Sequence, residues 1–389
     1  MKWRDIPAGA RRYIIYHTII SPLLSIWYLL PMYMFITGYN VLEIGLLFTA
    51  IHVISIPLTY AIGKAFEYID VKKGLMLIDV LDGVSSFLYG LAYGLFAPLM
   101  ITLGLIIDRV SRLFYPLYQA AEKLLYPKEK LEEVFSWHMR LPEVSQLISF
   151  PIIGYTFGYL YSNPIHYRIG FIAIALSSIP TTLYIYKFIP SLGRSQRIES
   201  EKFRFRVDSE FKLILVIEAL TTLAWSMAPI IVLLNYVVNT LGLTIFEALL
   251  VEATLSLGAI SATYVSDRIG KEYRFHVISA GYLMITLWAM IMFLNPPFPL
   301  VLLSYFVSRF GDTLMFPFYR AWIFEKVPKD RASTIFSALS SYNKLISLAT
   351  PAIAGLLALI YPTLPYLLSL ILFLLSALIL FVYRLGRAG

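Results

Sequence analysis

Residues 126–154 read YPKEKLEEVFSWHMRLPEVSQLISFPIIG, and residues 327–355 read VPKDRASTIFSALSSYNKLISLATPAIAG. These two stretches repeat each other at an offset of 201 positions, as the pair Pro127 and Pro328 shows. The other identical positions include Lys128, Phe135, Ser136 and Gly154, which align with Lys329, Phe336, Ser337 and Gly355. Just upstream, YPLYQA (115–120) aligns with FPFYRA (316–321). Such a repeat predicts two halves of similar fold.

The composition places most of the chain in a lipid bilayer. Hydrophobic residues make up 59% of the sequence and charged residues 14%, whereas a soluble domain carries about 25% charged residues. Apolar segments long enough to cross a membrane must be helices, because only a helix satisfies its own backbone in lipid. We predict spans at 13–36, 42–64, 74–95, 98–121, 132–157, 165–189, 211–236, 244–265, 275–294, 299–322, 333–358 and 364–384.

The predicted fold is an all-α polytopic membrane protein of twelve transmembrane helices in two pseudo-symmetric six-helix bundles. The longest polar stretch, 191–209, is interpreted as a cytoplasmic linker. It separates an N-terminal bundle (1–190) from a C-terminal bundle (210–389). A membrane protein with two such repeats is typically a transporter, with its solute path near the midplane at the repeat interface. The aligned Pro116 and Pro317 predict a kink in both span 4 and span 10.

Basic residues set the predicted orientation. The net charge of +8 comes from Lys and Arg in alternate breaks between apolar segments, which is typical of a membrane surface and not of a nucleic-acid partner. The N-terminus, the C-terminal end and the breaks after even-numbered spans carry them, whereas the opposite breaks hold almost none. We therefore expect a multi-pass protein of the cell membrane with both termini in the cytoplasm.

Several classes of chemistry are not expected. The chain has no cysteine, which excludes thiolate metal ligands and cysteine nucleophiles. It lacks the nucleotide-binding pattern G-x-x-x-x-G-K-[ST] and the metalloprotease and hydrolase patterns. We expect no enzymatic activity, no cofactor and no metal site.

Residues 263–271 read TYVSDRIGK, and residues 63–73 read GKAFEYIDVKK. Both resemble the cytoplasmic signature G-x-x-x-D-R-x-G-R/K that the major facilitator superfamily carries after spans 2 and 8. The resemblance covers essentially the whole chain. It implies a secondary active transporter that works by alternating access, as a monomer, with a proton or another coupling ion. It also implies that Glu67, Asp267 and Arg268 form a gating latch.

Ionisable residues inside the predicted spans are candidate site residues, since burying a charge in lipid costs several kcal/mol. Four positions coincide between the halves at offsets of 200 or 201: His17 with Glu218, His52 with Glu252, Arg109 with Arg309, and Glu143 with Lys344. Two symmetric arginines can hold an anion from both sides. The predicted substrate-binding residues are Arg109, Arg309, Arg112, Lys344, Asn343, Tyr115 and Trp225. The predicted proton-coupling residues are Glu218, Glu252, Asp312, Glu143 and His52, because buried carboxyls and histidine can load and release protons.

A structural interpretation of these charges stands beside the functional one. Asp108 and Arg112, or Arg309 and Asp312, share a helix face and can neutralise each other. Asp79 and Asp82 lie on one face of span 3, and we expect them to pair with Arg112.

The substrate stays open at this point. The paired arginines favour a small anionic metabolite, moved across the cell membrane by proton coupling. The acidic and aromatic residues favour a proton-driven exporter of multiple amphipathic compounds. A transport-dead sensor or a membrane enzyme on the same scaffold is the alternative from a different class.

Overall fold

The computed structural model describes residues 3–65, 69–127, 131–193, 209–266, 268–326, 339 and 341–388, and most of these residues are helical. In the first part of the chain the helical segments are α1 (Ala8–Ile36), α2 (Val41–Ala65), α3 (Val71–Leu91), α4 (Gly94–Leu125), α5 (Leu131–Tyr155) and α6 (Pro164–Phe188). In the second part they are α7 (Glu210–Thr240), α8 (Ile245–Ser266), α9 (Arg274–Phe293), α10 (Phe298–Lys326), α11 (Ser341–Ile360) and α12 (Leu364–Ala388).

These helices have the length and composition that a lipid environment requires. Nine helices in the described part are long and apolar enough to cross a membrane: α1, α3, α4, α6, α7, α8, α9, α11 and α12. The helices α2, α5 and α10 coincide with the predicted spans 42–64, 132–157 and 299–322. The prediction of an all-α polytopic membrane protein is confirmed.

Two helices of the N-terminal part are interrupted at prolines. The helix α1 tightens into a 3₁₀ turn at Ser21–Ser25, which contains Pro22. The helix α4 is interrupted after Leu113 and restarts at Pro116. Proline is well suited to the first position of a helix, because the N–H that it lacks would have no partner within the helix there. By contrast, α10 is one continuous helix through Pro317. The helix assignment is therefore broken at Pro116 and unbroken at Pro317, and the kink predicted for both helices stays a prediction.

The described residues form two units. One unit contains the residues up to Gly38 and those from Ala50 to the end of α6. Its main packing pairs are α3 with α6, α3 with α4, and α1 with α5. Near the N-terminal ends of α1 and α3, a core of Ala10, Tyr13, Ile14, Leu75 and Ile78 joins the helices. This core lies beside the polar side chains described below.

The second unit contains α7 to α12 together with Tyr39–Thr49, a stretch that includes the first part of α2. Its packing pairs repeat those of the first unit, because α9 packs on α12 and on α10, and α7 packs on α11. At the crossing of α9 and α10, a Cβ on Gly281 would lie 2.8 Å from the carbonyl oxygen of Gly311. Such close backbone approach is typical of membrane helix pairs with small residues at the contact. The first part of α2 is held on α11 by a hydrogen bond from the Ala352 amide to Oγ1 of Thr49, at 3.0 Å.

Candidate functional site

The helix α4 carries a cluster of charge near its middle. Asp108 and Arg112 lie four residues apart and so share one face of the helix. Nε of Arg112 lies 2.8 Å from Oδ2 of Asp108, and Nη2 donates to Oδ1 at 3.2 Å. The guanidinium also lies over the ring of Trp27, 5.0 Å from its centroid. The charge of Arg112 is therefore compensated within the N-terminal unit.

Arg109 lies on the same helix but in a different electrostatic setting. Its side chain is half-buried and makes no ion pair or hydrogen bond with any residue that the structure describes. The neighbouring positive charge is that of Arg112, and it repels Arg109. The described part of the unit thus leaves the positive charge of Arg109 uncompensated.

The acidic residues of α3 do not form the expected ion pairs with Arg112. Asp79, which is 6% exposed, accepts a hydrogen bond at Oδ1 from the hydroxyl of Tyr16, at 2.5 Å. Arg112 pairs with Asp108, and the direct ion pairs predicted from Arg112 to Asp79 and Asp82 are not formed, although the charge of Arg112 still acts on Asp82. The reason is geometric, because Asp108 sits one turn away on the helix of Arg112 itself. Oδ2 of Asp79 and Oδ1 of Asp82 are buried without a hydrogen-bond partner among the described atoms.

A second polar cluster joins α1, α4 and α5. The rings of His17 and His138 lie 4.7 Å apart between centroids. Nδ1 of His138 lies 2.9 Å from the hydroxyl of Tyr126 and 3.5 Å from Oε1 of Glu122. Tyr118 lies against His17, with 5.0 Å between ring centroids. We call His17, Tyr118, Glu122, Tyr126 and His138 the histidine cluster.

The C-terminal unit places Glu218 against a polar partner. Nδ2 of Asn343, on α11, donates to Oε2 of Glu218, on α7, at 3.1 Å. One turn further along α7, Oγ1 of Thr221 lies 2.8 Å from the hydroxyl of Tyr282. Tyr319, the repeat equivalent of Tyr118, lies beside Glu218. In both units the first helix therefore presents an ionisable residue to a tyrosine of the fourth helix.

The predicted arginine of the C-terminal unit has a longer ion-pair distance than Arg112. Nη1 of Arg309 lies 3.5 Å from Oδ2 of Asp312, three residues further along α10. A strong charged hydrogen bond measures about 2.7 to 2.9 Å. Both side chains are partly exposed, at 37% and 27%. This contact pairs the two charges without the two-point geometry of Asp108 and Arg112.

The other predicted site residues differ in their surroundings. Tyr115 is half-buried, with its ring 5.4 Å from that of Tyr118. Trp225 packs on Trp288 and Phe373, with ring centroids 5.4 and 5.1 Å away, in an aromatic core of α7, α9 and α12. The side chain of Lys344 is exposed, and those of His52, Glu143 and Glu252 are half-buried.

Of the predicted gating latch, only Arg268 is described, with an exposed side chain. Glu67 and Asp267 lie outside the described residues. The latch stays a prediction.

No member of the histidine cluster, and not Tyr16, is among the predicted substrate-binding or proton-coupling residues. Glu122 and Tyr126 lie in the last turn of α4 and just after it, and Tyr16 lies on α1. Tyr118, Glu122 and Tyr126 are spaced four residues apart, so they share one helix face. That spacing is the signal that could have identified Glu122 and Tyr126. The Tyr16 contact with Asp79 spans 63 positions and has no local signal.

The chemistry of these groups is that of charge pairing and proton transfer. Arginine pairs with carboxylates and phosphates, whereas carboxyl, imidazole and phenol groups exchange protons. Within the described part of the chain, no group of three or more His, Asp or Glu side chains is arranged to hold a metal ion.

Several solved structures share this fold. One is a bacterial homologue of the iron transporter ferroportin in an inward-facing state (15% identity, TM-score 0.72, covering 96% of this chain and 98% of that one). Another is a POT family transporter in complex with a thioalcohol-conjugated peptide (16% identity, TM-score 0.71, 99% of each chain). A third is the human organic anion transporter MFSD10 (15% identity, TM-score 0.64, 96% and 100%). At such low identity, these likenesses show the fold.

Sequence comparison assigns the family. No curated protein sequence matches the chain. The sequence profile of the Major Facilitator Superfamily matches residues 15–351 and, in a second alignment, 214–388. The resemblance seen in the signature stretches is thereby confirmed, and the chain belongs to the major facilitator superfamily of transporters.

Proposed function

We propose that this protein moves a small anionic solute across the cell membrane by proton-coupled alternating access. The observation that carries the proposal is Arg109, a half-buried arginine within α4 that has no anionic partner in the described part of the chain. A charge inside a bilayer costs several kcal/mol unless it is paired or hydrated. A bound anion would supply the missing partner, and a guanidinium suits carboxylate and phosphate groups through its planar donors.

The comparison between Arg109 and Arg112 sharpens this choice. The two residues lie on the same helix, three positions apart, but only Arg112 has an ion-pair partner. A structural role in neutralising Asp108 is already filled by Arg112. Arg109 is therefore the residue of this pair that is available to a ligand.

The C-terminal unit has an arginine of its own, Arg309, beside Asp312 on α10. The 3.5 Å contact of Arg309 with Asp312 is long for an ion pair, and both side chains are partly exposed. Protonation of Asp312 would remove the negative charge beside Arg309, which favours binding of an anion at that guanidinium. This contact therefore links proton binding to anion binding at one pair of residues.

The orientation proposed for transport follows from the basic residues. Both termini lie in the cytoplasm, because the Lys and Arg residues collect at the N-terminus and in the breaks after even-numbered spans. The protein acts as a monomer. Its other partners are the lipid bilayer and the coupling proton.

A second function has its own supporting observation. Oδ2 of Asp79 and Oδ1 of Asp82 are buried without hydrogen-bond partners among the described residues, and aromatic side chains make up 15% of the chain. Acidic and aromatic groups suit an amphipathic cation, which favours a proton-driven exporter. The anion is preferred because Asp79 already accepts a hydrogen bond from Tyr16, whereas Arg109 has no such partner.

A ligand screen by thermal shift tests the proposal. We expect small carboxylates or phosphate monoesters to raise the melting temperature of the wild type, whereas neutral and cationic solutes of similar size do not. The Arg109→Gln variant should insert and fold but lose this shift. The matched control is Lys123→Gln, which removes an exposed charge at the end of the same helix and should keep it.

The same screen separates the alternatives. Stabilisation by amphipathic cations that Arg109→Gln retains would overturn the anion assignment in favour of the exporter. Ligand binding without flux in proteoliposomes would favour a sensor.

A further inference from the structure

We infer that the histidine cluster and the Tyr16 hydroxyl form a proton relay inside the N-terminal unit, between Glu122 at the end of α4 and Asp79 on α3. This inference rests on the proposed proton coupling and names a route for the proton. It assigns a role to His17, His138 and Glu122, which the anion contacts of Arg109 and Arg309 do not use.

The outer part of the route is a hydrogen-bonding group around His138. Its Nδ1 faces both the Tyr126 hydroxyl at 2.9 Å and the Glu122 carboxylate at 3.5 Å. Glu122 lies in the last turn of α4, one residue before the exposed Lys123. A proton reaching Glu122 can therefore pass to the imidazole of His138.

The middle of the route is the contact between the two imidazoles. The rings of His17 and His138 lie 4.7 Å apart between centroids, and Nε2 of His17 is buried without a hydrogen-bond partner in the described part of the chain. A buried imidazole nitrogen without a partner costs free energy. A nitrogen that exchanges a proton during the transport cycle must be available to a donor or acceptor, and this role explains why the cost is retained.

The inner part of the route ends at Asp79. The hydroxyls of Tyr118 and Tyr16 lie 3.4 Å apart, and Tyr16 donates to Oδ1 of Asp79 at 2.5 Å. The ring of His17 lies 5.0 Å from that of Tyr118 and 5.2 Å from that of Tyr16. These groups form a continuous set of contacts between Asp79 and Glu122.

The titratable groups that contact the two histidines in the described part of the chain come from α1, from α4 and from the segment just after α4. They are Tyr13 and Tyr16 on α1, Tyr118 and Glu122 on α4, and Tyr126 just after α4. The members of the relay are acids, phenols and imidazoles, and none of them is a lysine or an arginine.

Proton transfer through this set changes the protonation state of its two end groups alone. His138 accepts a proton from Glu122 and passes one to His17. His17 passes a proton to a tyrosine hydroxyl, which gives its own proton onward, so that Asp79 becomes neutral. Each imidazole and phenol then returns to its starting protonation state, and the net result is one proton moved from Glu122 to Asp79.

A pH jump with infrared detection tests the relay without any solute. The full chain in nanodiscs is stepped across neutrality, from about pH 8 to about pH 6, and the carbonyl stretch of protonated carboxyl groups is followed with time. The Asp79→Asn variant identifies the Asp79 component by its loss. We expect His17→Gln and His138→Gln to slow the rise of this component at least about tenfold, because a positioned acid–base group contributes at least that much.

Controls separate the relay from a packing role. His166→Gln, on α6, removes a histidine outside the cluster and should leave the rate unchanged. Added imidazole should partly restore the rate in His138→Ala, which lost packing alone would not allow. If one histidine variant fails to fold, the rise of the Asp79 infrared component is measured instead in the other histidine variant and in Tyr126→Phe.

The outcomes are distinct from those of the anion screen. An Asp79 component that rises at the wild-type rate in the folded histidine variants would overturn the relay, even if the anion screen succeeds. An Asp79 component that is absent at all pH values would also overturn it. Slowed protonation supports the relay even if no anion binds.

Discussion

Glu218 of α7 accepts a hydrogen bond from Asn343 of α11, with 3.1 Å between Oε2 and Nδ2. The repeat-equivalent helices α1 and α5 make a corresponding contact through His17 and His138. Each unit therefore joins its first and fifth helices through polar side chains within the membrane-spanning region. Because lipid offers no alternative partner, such contacts hold helices together and are suited to respond to a proton.

Glu218→Gln separates charge from hydrogen bonding at this contact. The glutamine carbonyl still accepts from Asn343, so we expect the variant to fold with nearly wild-type thermal stability. Proton-driven accumulation should be lost, whereas exchange of solute across a membrane without a proton gradient should persist. Parallel flux assays measure both, with Glu272→Gln as the control because that side chain is exposed. Retention of full proton-driven accumulation would rule out Glu218 as a coupling group.

The ion pair between Asp108 and Arg112 should be energetically coupled. Removing one partner leaves the other charge unpaired inside the membrane, which is costly. We expect Asp108→Asn and Arg112→Gln each to lower stability, and the double variant to recover part of the loss. A double-mutant cycle of unfolding free energies should give a coupling of about 0.5 to 3 kcal/mol. Simple additivity of the two losses would show that the 2.8 Å contact contributes nothing.

The crossing of α9 and α10 should not tolerate a larger residue at Gly281. A Cβ there would lie 2.6 Å from Cβ of Met315 and 2.8 Å from the carbonyl oxygen of Gly311. We expect Gly281→Ala to cost about 1 to 3 kcal/mol, as is usual for overpacking, and Gly281→Val to cost more. The control is Ala280→Val, the neighbouring position with an exposed side chain. Melting temperatures in detergent provide the measurement, and equal effects at both positions would argue against the close approach.

The absence of cysteine makes the orientation directly testable. Leu95 lies at the start of α4 and is 98% exposed, and Arg12 is exposed near the start of α1. We expect a membrane-impermeant maleimide to label Leu95→Cys in intact cells, but Arg12→Cys only after permeabilisation. Wild-type protein supplies a background without label. The reverse pattern would place both termini outside the cytoplasm.

The sequence predicts the helices well because lipid imposes strong rules on composition and length. It also predicts the pairs Asp108 with Arg112 and Arg309 with Asp312, since residues three or four apart on a helix always share a face. Contacts between helices are different, because several rotations of a helix satisfy the same hydropathy pattern. Tyr16 as the partner of Asp79 depends on how α1 and α3 are rotated against each other, which the pattern does not specify.

The aromatic residues show the same limit. Trp225 falls on a span that the sequence assigns to the solute path, whereas its ring packs on Trp288 and Phe373 in the core of the C-terminal unit. Glu122 lies at the end of a span, where a charge is ordinarily solvated, and only the folded structure places it beside His138. Which of the predicted residues contact the solute stays a prediction.

Proton flux in proteoliposomes tests the central claim most directly. Vesicles containing the protein and an internal pH dye are given an inward gradient of small carboxylates or phosphate monoesters, each compared with a neutral and a cationic solute of similar size. The proposed function predicts that at least one anion changes the internal pH, and that Arg109→Gln abolishes this change whereas Lys123→Gln preserves it. A pH change driven only by cationic solutes, or one that survives in Arg109→Gln, would contradict it.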